Sequence, residues 1–187
     1  MKRNSLNRYQ RTPDNKILIE ITAGEIKDLY NDFDRHAPYI RKDLDADLTE
    51  YLIDSVAEIG DENFVIHFML NKLEDEILTG RIKTSIQNYF LYLIEREDRE
   101  MAKLQRNSLI YFLIGIAFLS LSYWFNQDIL DNATYLSHIL TQGLIVAAWV
   151  SLWNAIATFL INWKPHRDLV KLYQRISRAE ISFSAVD

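Results

Sequence analysis

Cysteine is absent from the 187 residues, and glycine (five), histidine (four), proline (three) and methionine (three) are scarce. Without cysteine there is no disulfide framework, no thiolate metal site and no cysteine nucleophile. Five glycines leave no glycine-rich loop to cradle a phosphate, and no serine stands in a Gly-x-Ser-x-Gly elbow. His36, His67, His138 and His166 lack any short His-x-His or His-Glu-x-x-His spacing. The acidic run Asp43, Asp45, Asp47, Glu50 and Asp54 superficially resembles a calcium loop, but Leu48 stands where the sharp turn needs glycine. These carboxylates read instead as anions at a helix N-terminus. The sequence therefore offers no catalytic residue, no metal site and no cofactor site. A net charge of −5 with no basic domain or dedicated motif also gives no reason to expect a nucleic-acid partner.

Charge is missing locally in two places, and there the chain is most informative. Ser108 to Phe125 is eighteen residues without a charge, about 27 Å as a helix against a hydrocarbon core of about 30 Å. Ile139 to Trp163 is a second uncharged run, long enough to span with tilt. Two such runs in succession, ended by Tyr123, Trp124 and Trp163, read as membrane spans rather than as core helices of a soluble protein. The N-terminus has basic residues but no apolar stretch behind them, so no signal peptide is expected.

Lys and Arg set the orientation. Arg96, Arg99, Lys103 and Arg106 precede the first span, Lys164, Arg167 and Lys171 follow the second, and the loop Asn126 to Ser137 has none. Both termini are expected in the cytoplasm, with the short loop facing the outside or periplasm. The four cations before the first span recur at helical spacing, so they form either a stripe that meets anionic headgroups, with Lys164 and Arg167, or a solvated salt-bridged face. Asn132-Ala133-Thr134 matches a glycosylation sequon, but three residues beside a membrane carry no weight.

Outside the spans the chain predicts an α+β cytoplasmic domain, a small sheet with packed helices. Residues 1–15 read as a basic, disordered tail and 16–106 as the domain, ending in a long helix. Residues 107–163 are the transmembrane helical hairpin, and 164–187 are a helix and strand that rejoin the domain. Ile17, Ile19 and Ile21 alternate as a strand, and Glu25 to Phe33 suits a short helix. A helix begins near Asp45 and stops at Gly60, and Phe64 to Leu70, apolar on both faces except at His67, predicts a central strand. From about Leu78 one helix can continue into the first span, because neither proline nor glycine interrupts the charged stretch Glu95 to Arg106 that precedes it.

On a wheel of about 100° per residue, Gly143, Ala147, Ser151, Asn154, Ala155, Thr158 and Asn162 share one face of the second span. Ser108, Gly115 and Ser122 share one face of the first. Small and polar residues in lipid permit close helix approach, so these are packing positions of the hairpin itself or, in an assembly of several copies, the lining of a narrow uncharged pore.

Gly143-Leu144-Ile145, Trp149 and Trp153, the ending Asn162-Trp163-Lys164-Pro165 and the segment Arg41-Lys42-Asp43-Leu44-Asp45 resemble a family of bacterial two-span membrane proteins with a cytoplasmic α+β domain. The family carries no assigned activity, so the resemblance implies an inner-membrane location and transfers no functional residue. The expected function is non-enzymatic: a cytoplasmic domain that binds a protein, a small ligand or itself, on a hairpin that anchors or transmits the event in the lipid bilayer, with homo-oligomers expected. The alternative is a homo-oligomeric pore-forming effector gated by that domain.

Overall fold

A computed structural model describes residues 5–34, 37–71, 75–128 and 135–186. It divides into two compact units, one formed by Met1–Arg96 with Val170–Asp187 and the other by Glu97–Leu169. The divisions between these units fall at 96/97 and 169/170.

The first unit mixes helices with a four-stranded sheet ordered β1 (Gln10–Arg11), β2 (Ile17–Ala23), β3 (Phe64–Leu70) and β4 (Glu180–Ala185). β1 runs antiparallel to β2, whereas β2, β3 and β4 are mutually parallel. Phe64 to Leu70 is thus an interior strand, which is why both its faces are apolar. Alternation sets the buried side: Ile17 and Ile19, Ile66, Phe68 and Leu70, and Ile181 form the core, with Phe68 stacked on Phe183 at 5.5 Å. Helix α1 (Ala46–Ile59) covers that side with Leu52, Val56 and Ile59, and the start of α2 (Glu76–Asp128) adds Ile82, Ile86 and Phe90. α4 (Trp163–Ser177) adds Tyr173 and Ile176. Burying such side chains contributes about 1.5–3 kcal/mol each.

The ends of α1 follow from local chemistry. The Asp45 carboxylate accepts from the Asp47 and Leu48 backbone N–H groups, which the first turn would otherwise leave unsatisfied. Gly60 ends the helix at φ +68°, a backbone conformation that L side chains rarely adopt. Arg175 of α4 then donates to the carbonyls of Gly60 and of Glu62 (2.7 Å), placing a cation at the negative end of α1.

Two expectations are corrected. Ser5–Arg8 form a 3-10 turn and Gln10–Arg11 a strand, so this part of the expected tail is structured, held in part by the Tyr9 hydroxyl donating to Glu58 at 2.9 Å. Glu25 to Phe33 is not one helix. Two 3-10 turns, Ile26–Leu29 and Asp32–Asp34, flank Tyr30, whose backbone bridges to Leu44, and that pairing stops the helix from propagating.

α2 runs unbroken from Glu76 to Asp128, and α3 (Tyr135–Ala157) continues through a π-helical turn, Thr158–Asn162, into α4. Two helices are long and apolar enough to cross a membrane, Glu76–Asn126 and His138–Ser177. The apolar side chains of these segments are largely exposed within the chain, for example Trp149 at 69% and Trp153 at 67%, where a soluble protein would bury its core helices. His36 and the sequon lie outside the described residues.

Burial pushes the Tyr30 phenol up from 10.0 to about 12. The fold therefore favours the neutral hydroxyl, a contribution present below pH about 10 and lost as pH rises towards about 12. Alkaline denaturation of the detergent-solubilised protein should reveal a loss of order 2 kcal/mol across that window, which Tyr30→Phe should remove; an unchanged profile would show that Tyr30 is not buried this way.

Candidate functional site

In the second unit, α2 and α3 touch along a line that repeats every seven residues. The Ser108 hydroxyl donates to the Ala155 carbonyl at 2.8 Å, and the Ser122 hydroxyl to the Thr141 carbonyl at 3.4 Å. Between them, a Cβ on Gly115 would come within 2.8 Å of the Leu152 side chain and 3.3 Å of the Ala148 carbonyl. As α2 advances through 108, 115 and 122, its partners on α3 step back through 155, 148 and 141. The two helices are antiparallel in heptad register. Each meeting point has a residue no larger than serine on the α2 side, so the backbones approach closely and hydroxyls reach main-chain carbonyls.

Of the seven positions expected on the second span's packing face, Ala155 is in this seam and 4% exposed. Ser151 donates to the Ala147 carbonyl of its own helix at 2.9 Å. Ala147 and Thr158 are half-buried, while Gly143, Asn154 and Asn162 are exposed. The seam with α2 uses Ala155 together with Thr141, Ala148 and Leu152. The wheel identified which residues cluster, but it had no partner helix with which to fix the angle. A Cβ on Gly143 would meet nothing within 4 Å, so the chain's own packing does not require that glycine.

Beyond Ala155 the repeat changes phase. A seven-residue step would bring Asn162 onto the line, but the π-turn absorbs one extra residue, leaving Asn162 exposed and Trp163 half-buried. Pro165 supplies a cause: it has no N–H to donate, and its ring crowds the carbonyl four residues back, at Ile161, inside the π-turn. Phe159 stacks on Trp163 at 6.3 Å, and the Arg167 guanidinium lies 5.2 Å from the Trp163 ring centre. On the same side of the unit, His166 Nδ1 lies 2.6 Å from the Glu97 carboxylate, whose side chain is only 10% exposed. Sequence reading did not find this pair, because sixty-nine residues separate its members.

The proposed headgroup residues Arg96, Arg99, Lys103, Arg106, Lys164 and Arg167 are all exposed. Lys103 pairs with Glu100 at 2.5 Å, one turn along its own helix. Arg106 and Lys164 have no ion pair among the described residues.

In the first unit, the sheet face opposite the core places Glu20, His67 and Ser182 in register across β2, β3 and β4. His67 Nδ1 lies 2.8 Å from the Ser182 hydroxyl and Nε2 lies 3.0 Å from that of Ser184. Each ring nitrogen therefore has a partner, one hydroxyl donating and the other accepting when the imidazole is neutral. This accounts for a polar residue in the middle of an interior strand. Among the described residues no group of three His, Asp or Glu side chains is placed to hold a metal ion.

Comparison with family models, curated proteins and solved structures finds no match. The resemblance to two-span bacterial proteins gains no support from them, and the geometry above carries the functional reading.

The seam makes an asymmetric demand on the two span glycines. Gly115→Val should lower the melting temperature of the detergent-solubilised protein by several degrees and abolish cross-linking between Ser108→Cys and Ala155→Cys in the otherwise cysteine-free chain. Gly143→Val should change neither. Equal effects at both positions would disprove the seam.

Proposed function

We propose that the chain is a non-enzymatic integral membrane protein of the bacterial inner membrane, in which the α2–α3 pair is a transmembrane hairpin and the sheet unit is a cytoplasmic binding domain. The observation that supports this most is the route between β3 and β4. Parallel strands need a crossover, and here that crossover consists of α2, α3 and α4, both apolar helices included. The hairpin is thus an insertion between two paired strands, and displacement of either helix acts on the strand it connects to. The sheet face that carries Leu18, Thr22, His67 and Met69, half-buried or exposed, is the surface we assign to a protein or small-ligand partner. The positive residues flanking the spans, and their absence between Asn126 and Ser137, support termini on the cytoplasmic side.

The proposed topology has a direct test in cells. A membrane-impermeant maleimide applied from outside should label Asn126→Cys and spare Ser182→Cys, and the protein should resist carbonate extraction. Labelling of Ser182→Cys in intact cells, or release by carbonate, would contradict the reading.

A second reading is favoured by one observation: Asn154 and Asn162 are exposed on the second apolar helix, and neither amide has a partner among the described residues. An amide facing lipid is costly, and several copies around an axis would enclose these groups. On this pore-forming alternative, the mass in nanodiscs corresponds to four or more chains, and Asn154→Leu changes ion leakage from loaded liposomes. A monomer or dimer would rule the pore out.

A further inference from the structure

The seam leaves a groove at one end of the α2–α3 pair. Its floor is Ser108 against Ala155, the smallest meeting point there, and its walls are Leu109 and Phe112 of α2 facing Ile156, Phe159 and Leu160. The π-turn contributes to one wall, since Phe159 and Leu160 lie within it. The volume is about 620 Å³, in the range of ligand sites. The lining is apolar except for Ser108, whose hydroxyl is satisfied by Ala155, and Gln105 at one end.

Beside the groove the surroundings change sign. Arg106 stands one turn before Leu109 and Lys164 one turn past Leu160, both exposed and both without an ion pair among the described residues. No Asp or Glu occurs from Met101 to Gln127 or from Tyr135 to Arg167. An apolar groove of this size with unpaired cations one turn from a wall residue on each helix is complementary to a molecule with a hydrocarbon tail and a negative head.

Resting on the membrane reading above, we infer that the groove binds one anionic phospholipid of the surrounding bilayer, with an acyl chain between Leu109 and Ile156 and the phosphate between Arg106 and Lys164. Cations placed at headgroup level attract anionic lipid, and the small floor residues let the chain lie closer to the helix axes than ordinary boundary lipid does. The site would link lipid composition to the spacing of α2 and α3 at the π-turn.

The test is native mass spectrometry of the full-length protein with phosphatidylglycerol or phosphatidylcholine of equal chain length. The expected result is one phosphatidylglycerol retained per chain, with a preference over phosphatidylcholine of about tenfold. Leu109→Trp and Ile156→Trp, each at a half-exposed position outside the seam, should fill the groove and abolish retention while the Ser108→Cys with Ala155→Cys cross-link still forms. Arg106→Gln with Lys164→Gln should remove the preference and leave weak retention of both lipids. Equal retention of the two lipids by the wild type, or full retention in both groove-filled variants, would overturn the inference. A protein that resists carbonate yet retains no phosphatidylglycerol would sink the groove alone; one that carbonate releases would sink the membrane reading as well.

Discussion

The parallel pairing of β3 with β4 is the constraint on which the architecture depends. Adjacent parallel strands cannot be joined by a tight turn, because the chain must return to the end from which it started. Here it leaves the sheet after Leu70 and re-enters at Glu180, with the pairing closed by the Val186 N–H donating to the Leu70 carbonyl at 2.8 Å. Everything between is a crossover whose two outgoing and returning helices also bury Phe90 and Tyr173, 6.0 Å apart, in the sheet unit. Loop-closure entropy grows only slowly with loop length, so a long insertion is thermodynamically tolerable where a compact sheet holds its ends.

In the second unit the governing physics is different. On the proposed membrane reading there is no water to expel between these helices, so association would rest on close packing and on hydrogen bonds that lipid cannot offer. Ser108, Gly115 and Ser122 meet that requirement on α2, while the bulky aromatic and aliphatic side chains point away from the contact. The π-turn shows how one residue is accommodated: Pro165 disturbs the ladder, the chain takes up an extra residue, and Asn162 is exposed while Trp163 is half-buried. This local backbone irregularity also contributes Phe159 and Leu160 to the groove to which a lipid is assigned.

Much of this was legible because periodicity and composition act locally. Uncharged runs, alternating isoleucines, an aspartate before a helical pattern and a glycine after it each specify their own element, with little dependence on the rest of the chain. What escaped reading was contact between distant residues. The pairing of His67 with Ser182 and Ser184 spans more than a hundred residues, as does the hold of Arg175 on the end of α1. The two-residue β1 is too short to carry a period, and it exists because β2 offers it an edge.

By itself the sequence determined the apolar character of the two long helices, the mixed nature of the remaining domain and the ends of α1, since these depend on hydrophobicity, charge and backbone preference within a few residues. Only the tertiary structure decided the strand order and its parallel sense, the angle at which α3 meets α2, and the consequent exposure of Gly143, Asn154 and Asn162. The physical reason is that a helix's own sequence distinguishes its faces but does not specify which partner will cover them.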